Sequence, residues 1–134
     1  MSGEKELQKL LLTMKPELQA GAYVFATVSA EEFTQLDIQP IGWFREAEGI
    51  TLIVGRDIAE QSGLPYTFIS RMITLTVHSS LEAVGFLAVI TRTLADAGIS
   101  VNPVSAYYHD HLFVPVNKAE RAMQLLTMLA QSHG

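Results

Sequence analysis

Two stretches of this chain echo each other, and the echo limits what it can fold into more than any other feature. AYVFATVS-x-x-E lines up with ITLTVHS-x-x-E, so that Ser29 falls on Ser79, an offset of 50. Further on, GITLIVGRDIAE lines up with HLFVPVNKAERA, with Val54 on Val116, an offset of 62. The offset grows by 12 residues, which places about three extra helical turns in the crossover of the second copy. The chain reads as a duplicated α+β unit whose first copy has a shortened crossover helix. The division expected is residues 1–67 for the reduced N-terminal unit and 68–134 for the fuller C-terminal one.

Local chemistry fills in the elements. Leu7, Leu10, Leu11 and Met14 recur at helical spacing, so a short amphipathic helix is expected from about Lys5 to Met14, stopped by Pro16. This helix is expected to cover the sheet face that the short first crossover leaves bare. AYVFATV is strand-like, rich in aromatic and β-branched residues. Ser29 with Glu32 forms a capping-box pattern that opens a brief helix. Ile41–Glu46 and Ile50–Val54 read as strands around the turn Ala47-Glu48-Gly49, and Arg56–Gln61 as a short helix. Tyr66–Val77 is one long β-prone run. A second copy written βαββα lacks a last strand of its own, so this run is expected to be shared. Its first part would close one sheet and its second part open the next.

A second capping-box pattern, Ser79 with Glu82, is expected to start a long helix with Val84, Leu87, Ala88, Ile90, Thr91, Leu94 and Ala95 along one side and Gly98 at its end. Ile99–Tyr107 and Leu112–Val116 then form strands about a His109-Asp110 turn, and Ala119–Ser132 a last amphipathic helix. A parallel pairing would need a crossover of about a dozen residues, which the first copy barely has.

Composition removes several classes of function. The chain has 134 residues and is 49% apolar, enough for a real core. Its 9 basic against 14 acidic residues, with no basic run, argue against nucleic-acid binding. With no cysteine there is no disulfide or thiolate chemistry. Lys9, Lys15 and Glu17 interrupt the apolar N-terminal stretch, so it does not read as a signal peptide. His78, Ser79, Ser80 and Glu82 interrupt Ile73–Thr91, so that stretch does not read as a membrane span. A soluble cytoplasmic protein is expected. His78 beside Ser79 would point to the opposite face of a strand, and no Gly-x-Ser-x-Gly elbow is present, so no enzyme is expected. His109 and His111 at i, i+2 face one side of a strand, but no third metal ligand accompanies them, and neither a metal nor a cofactor is expected.

The polar turn His78–Glu82, Gly85, and Ala97-Gly98-Ile99 leading into the next strand resemble the βαββαβ pattern of ACT domains. Met14-x-Pro16-x-Leu18-x-x-Gly21-x-Tyr23-Val24-Phe25, with Ser105-Ala-Tyr-Tyr-His-Asp-His111 late in the chain, is similar to small bacterial tandem-ACT proteins related to the arginine-sensor ACT proteins of animals. The resemblance implies two ferredoxin-like units in tandem, packed side by side or swapped through Tyr66–Val77. It also implies amino-acid binding with a regulatory output, here without an attached catalytic domain; a homodimer is expected because open sheet edges in such units tend to be paired or covered. The alternative is a ligand-free interaction or dimerisation module.

The residues expected at the ligand are His78, Ser79, Ser80, Leu81, Glu82, Val84, Gly85, Phe86 and Asn102. The free amides and positive dipole end of a helix start suit a carboxylate. Ser79 and Glu82 would equally serve as plain helix caps. Glycine inside a helix costs about 1 kcal/mol against alanine, so Gly85 suggests close approach of a ligand or of tightly packed backbone. The Asn102 amide can both donate and accept, and Pro103 beside it suits a strand edge.

Overall fold

A computed structural model describes residue 3 and residues 5–132. The contacts gather these residues into two compact units. One is Gly21–Ser70, and the other joins the segment ending at Ala20 to the segment beginning at Arg71.

The Gly21–Ser70 unit is a complete βαββαβ array. Its elements are β2 (Tyr23–Val28), α2 (Ala30–Gln35), β3 (Gly42–Arg45), β4 (Ile50–Gly55), α3 (Arg56–Gln61) and the first residues of β5 (Thr67–Leu75). The strand order is β3-β4-β2-β5, with antiparallel pairing throughout, as ferredoxin-like units have. Val28 stands opposite Ile50 and Tyr23 opposite Gly55. The alternation of β2 buries Val24, Ala26 and Val28 against Leu52 and Val54 of β4, with Ala59 of α3 closing one end.

The capping box forms as expected. The Ser29 hydroxyl accepts from the Glu32 amide at 3.0 Å, and the Glu32 carboxylate accepts from the Ser29 amide at 2.9 Å. These bonds hold the Glu32 carboxyl below its ordinary pKa. None of the six residues of α2 is fully buried. Its cap is therefore the main local support, and Ser29→Ala is expected to cost about 1 kcal/mol of unfolding free energy, read by urea denaturation.

β5 is shared, as its length suggested. Its first residues pair with β2, Ser70 opposite Tyr23 and Thr67 opposite Phe25, with one extra residue on β5 between those partners. The bulge holds Phe68 at φ 60°, the sole described non-glycine residue with positive φ, and stacks its ring edge-on to Phe25 at 5.9 Å. From Arg71 onward β5 belongs to the other unit.

That unit contains α1 (Leu7–Thr13), β1 (Pro16–Leu18), the rest of β5, α4 (Phe86–Asp96), β6 (Asn102–Ser105), β7 (Asp110–Pro115), a short 3-10 turn at Val116–Lys118, and α5 (Ala119–Ser132). β1 pairs antiparallel with β5, Pro16 opposite Leu75 and Leu18 opposite Ile73, while β7 and then β6 lie on the other side of β5. The missing last strand is thus supplied from the N-terminal side, which corrects the reading of residues 5–14. Leu10, Leu11 and Met14 do not cover the first sheet; they are buried with Ile73, Leu75, Ile90, Leu94, Val114 and Leu126. Glu4, read on the polar face of that helix, lies outside the described residues.

The repeat register also needs correction. β4 and β7 show the same burial alternation, and each is followed by a helical turn after an extended residue, Gly55 or Pro115. The structural offset there is 60, from Gly55 to Pro115, in place of 62. The extra crossover length is only partly helical. α4 has 11 residues against 6 in α2, and the rest lies in the loop after β5. No described helix is long and apolar enough to cross a membrane.

Candidate functional site

The loop between β5 and α4 borders a partly open cavity of about 140 Å³ within the unit that holds both elements. Ser79, Ser80, Leu81 and Ala83 line it from the loop, Gly85, Phe86, Leu87 and Ala88 from the start of α4, and Ser105 and Asp110 from the β6–β7 hairpin.

The expected capping box at Ser79 and Glu82 does not form. α4 begins at Phe86, with Gly85 as its N-cap at φ 92°, a left-handed conformation that glycine adopts without the strain a Cβ brings. Gly85 is therefore a turn residue ahead of the helix, not a glycine within it. The loop serine hydroxyls are engaged elsewhere. Ser79 donates to Asp110 Oδ2 at 3.1 Å, and Ser80 accepts from the Glu82 amide at 3.0 Å. No side chain caps α4. The first intrahelical bond runs from Val89 to the Gly85 carbonyl, so helix geometry leaves the amides of Phe86, Leu87 and Ala88 without a partner inside the helix. All three residues line the cavity.

Asp110 lines the same space. It is only 6% exposed, and no cationic side chain is among the lining residues. A buried carboxylate of this kind favours a cationic or hydrogen-bond-donating partner. Amides without a helical partner and a buried carboxylate in one lining suit the two charges of a zwitterion.

Five of the expected residues line the cavity: Ser79, Ser80, Leu81, Gly85 and Phe86. The other four are placed elsewhere. His78 packs against Tyr108 at 5.4 Å and Tyr107 at 6.4 Å, ring centre to ring centre. Glu82 is at the surface with Lys5 at 3.8 Å. Val84, read on the buried side of the helix, is 84% exposed because it precedes the helix. Asn102 opens β6 opposite Phe113 and is exposed.

Ala83, Leu87, Ala88, Ser105 and Asp110 were not anticipated. Asp110 was read as part of the turn, but the turn spans Ala106–His109, closed by the Ala106 amide to the His109 carbonyl, and Asp110 is the buried first residue of β7. The run Ile99–Tyr107 forms a strand only at Asn102–Ser105, and Tyr107 and Tyr108 stand exposed at the hairpin tip.

The two histidines flanking Asp110 have protein partners. His109 Nδ1 lies 3.2 Å from the Val77 carbonyl, and His111 Nδ1 shares a 3.0 Å hydrogen bond with the Thr74 hydroxyl, which also accepts from Gln19. Among the described residues no group of three His, Cys, Asp or Glu side chains is placed to hold a metal ion. Burial, and then the neighbouring His109, hold the His111 pKa below the ordinary 6.5, while Asp110 pulls the other way. The unfolded chain therefore binds a proton at position 111 more readily than the folded one. Stability is expected to fall as pH drops through 6.5 and to level off below the folded pKa. His111→Gln should remove that part of the pH dependence, measured by denaturant titration at stepped pH.

Profiles of the ACT domain match residues 2–71 and residues 67–128. A Vibrio cholerae protein of unknown function, considered a possible transport protein, is 47% identical, covers 94% of this chain and 97% of its own, and superposes with a TM-score of 0.81. The ligand-free regulatory subunit of aspartate kinase from Thermus thermophilus shares the fold at 12% identity, with a TM-score of 0.70 over 89% of this chain and 97% of that one. A protein from Agrobacterium tumefaciens does so at 19% identity and a TM-score of 0.69, over 87% and 89%. Among curated proteins none matches in sequence.

Proposed function

Because the chain belongs to the ACT-domain family, we propose that it is a regulatory sensor that binds an amino acid in the cavity between the β5–α4 loop and Asp110. The observation that carries this reading is the meeting of opposite tendencies in the lining of one small space. The uncapped start of α4 offers amide donors to a carboxylate. Asp110 offers a carboxylate to an ammonium group. The regulatory output and the cytoplasmic location belong to the same proposal. So does a homodimer, in which binding would stabilise the ligand-competent form by mass action.

The kinship to the animal arginine-sensor proteins rests on Met14–Phe25 together with Ser105–His111 and stays part of the proposal. The use of the later stretch is more specific than the kinship. It carries Ser105 and Asp110 into the cavity.

A second reading, an interaction module without ligand, draws on β3. This edge strand presents Trp43 at 50% and Phe44 at 71% exposure. Large apolar side chains on an open strand edge suit a protein partner. Thermal unfolding in the presence of each of the twenty common amino acids, at millimolar concentration, separates the two. A selective rise in Tm for some of them supports the sensor. No rise for any, with a stable dimer by light scattering, supports the module.

A further inference from the structure

Building on the homodimer proposed above, and independently of its ligand, we infer that two copies of the chain join by pairing their β3 strands about a twofold axis, in the register that sets the two Phe44 residues opposite each other. β3 is the outer strand of the Gly21–Ser70 unit, and among the described residues its strand partner is β4. Glu46 and Gly49 exchange backbone hydrogen bonds in both directions, and antiparallel bonding alternates from such a pair. Gly42 and Phe44 therefore bond to β4, while Trp43 and Arg45 turn their N–H and C=O groups to the open side.

β6, the outer strand of the other unit, is closed to this use. Asn102 opposite Phe113 repeats Gly42 opposite Ile53, 60 positions on, so Pro103 holds the place of Trp43. Proline offers no N–H, which blunts an edge. On β3 that place carries a donor, and the large side chains of Trp43 and Phe44 stand exposed there. Trp43 is held by Phe33 of α2, ring centres 4.9 Å apart.

One register satisfies this edge. Centred on Phe44, a twofold pairing sets Trp43 of each copy against Arg45 of the other, and the outward N–H groups of both residues find carbonyls on both strands. Centring on Trp43 satisfies Trp43 alone, since the Ile41 N–H is already spent on the Ile53 carbonyl. Centring on Arg45 opposes two guanidinium groups. The Phe44 register opposes no like charges. It brings the Arg45 guanidinium within reach of the other copy's Trp43 indole on one face, a cation–π pairing, and joins two aromatic rings on the other face. A four-residue strand makes a small interface, so the dimer is expected to dissociate on dilution.

The test uses the lack of cysteine in this chain, because a single introduced thiol then reports its own neighbour. Opposed residues of a non-hydrogen-bonded antiparallel pair have Cα atoms about 4.5 Å apart, within disulfide range. Phe44→Cys, incubated with oxidised glutathione, should run mainly as a covalent dimer on a non-reducing gel. Arg45→Cys and Val104→Cys, exposed at the adjacent and the equivalent position, should stay largely monomeric. Phe44→Lys opposes two ammonium groups at an exposed position, so it should leave the circular dichroism unchanged and weaken dimerisation at least about tenfold by sedimentation velocity. Equal cross-linking at all three positions, or a dimer that Phe44→Lys leaves intact, would overturn the β3 interface and leave the homodimer standing. A wild-type chain that stays monomeric by light scattering up to about 1 mM would overturn both.

Discussion

Asp110→Ala is expected to weaken amino-acid binding by at least about a hundredfold and to lower stability by about 1–3 kcal/mol in the same variant. Both effects follow from one buried group. The carboxylate accepts from Ser79 within the protein, and the residues lining the cavity offer it no cation. Truncation leaves the Ser79 hydroxyl without its acceptor, and an unmade buried hydrogen bond costs about 1–3 kcal/mol. The binding loss is larger because a charge-assisted contact is roughly twice as strong as a neutral one, and it disappears entirely. Asp110→Asn separates the two effects. It retains an acceptor for Ser79 and removes the charge, so it should lose affinity while keeping most of the stability. Titration calorimetry and urea unfolding on the two variants check this.

Removal of the segment through Leu18 is expected to unfold the unit that contains α4 and α5. The segment places Leu10, Leu11 and Met14 in the core of that unit, each at most 2% exposed. Burying a side chain of this size is worth about 1.5–3 kcal/mol, so the three together are comparable to the whole stability of a typical domain, about 5–15 kcal/mol. The deletion also strips β1 from β5 and with it the pairing of Pro16–Leu18 with Ile73–Leu75. Far-UV circular dichroism and amide dispersion should report the loss, and the missing segment added back as a peptide should restore them in part. A truncated chain that unfolds cooperatively with less than about 2 kcal/mol of destabilisation would show that β1 and α1 are ornamental.

Most of the elements were legible because their signals are local. The aromatic and β-branched residues of Tyr23–Val28, the paired Ser29 and Glu32, and the length of Tyr66–Val77 each point to one conformation, and each forms as read. The placement of the first helix was not legible. Leu7, Leu10, Leu11 and Met14 define an apolar face, but nothing in their spacing says which sheet will bury it.

The site was half legible for a related reason. Ser-x-x-Glu is the same string at 29–32 and at 79–82, yet it caps a helix only in the first place. At the second, the hydroxyl of Ser79 is taken by Asp110, a partner 31 positions away in sequence. A short-range pattern cannot see a long-range competitor. Asp110 itself was hidden by its type, since aspartate next to histidine after two tyrosines reads as a turn. The one available sign was that an acidic residue directly follows an aromatic hairpin and precedes the apolar run Leu112–Val114, where the second strand must begin.

The most direct measurement is an amide-resolved NMR titration of the isotopically labelled chain with each of the twenty common amino acids in turn. At least one of them should shift the amides of Ser79–Ala88 together with Ser105 and Asp110, saturably, while the amides of Gly21–Ser70 stay largely in place. Saturable shifts centred instead on residues 21–70, or none with any of the twenty, would contradict the site assigned here.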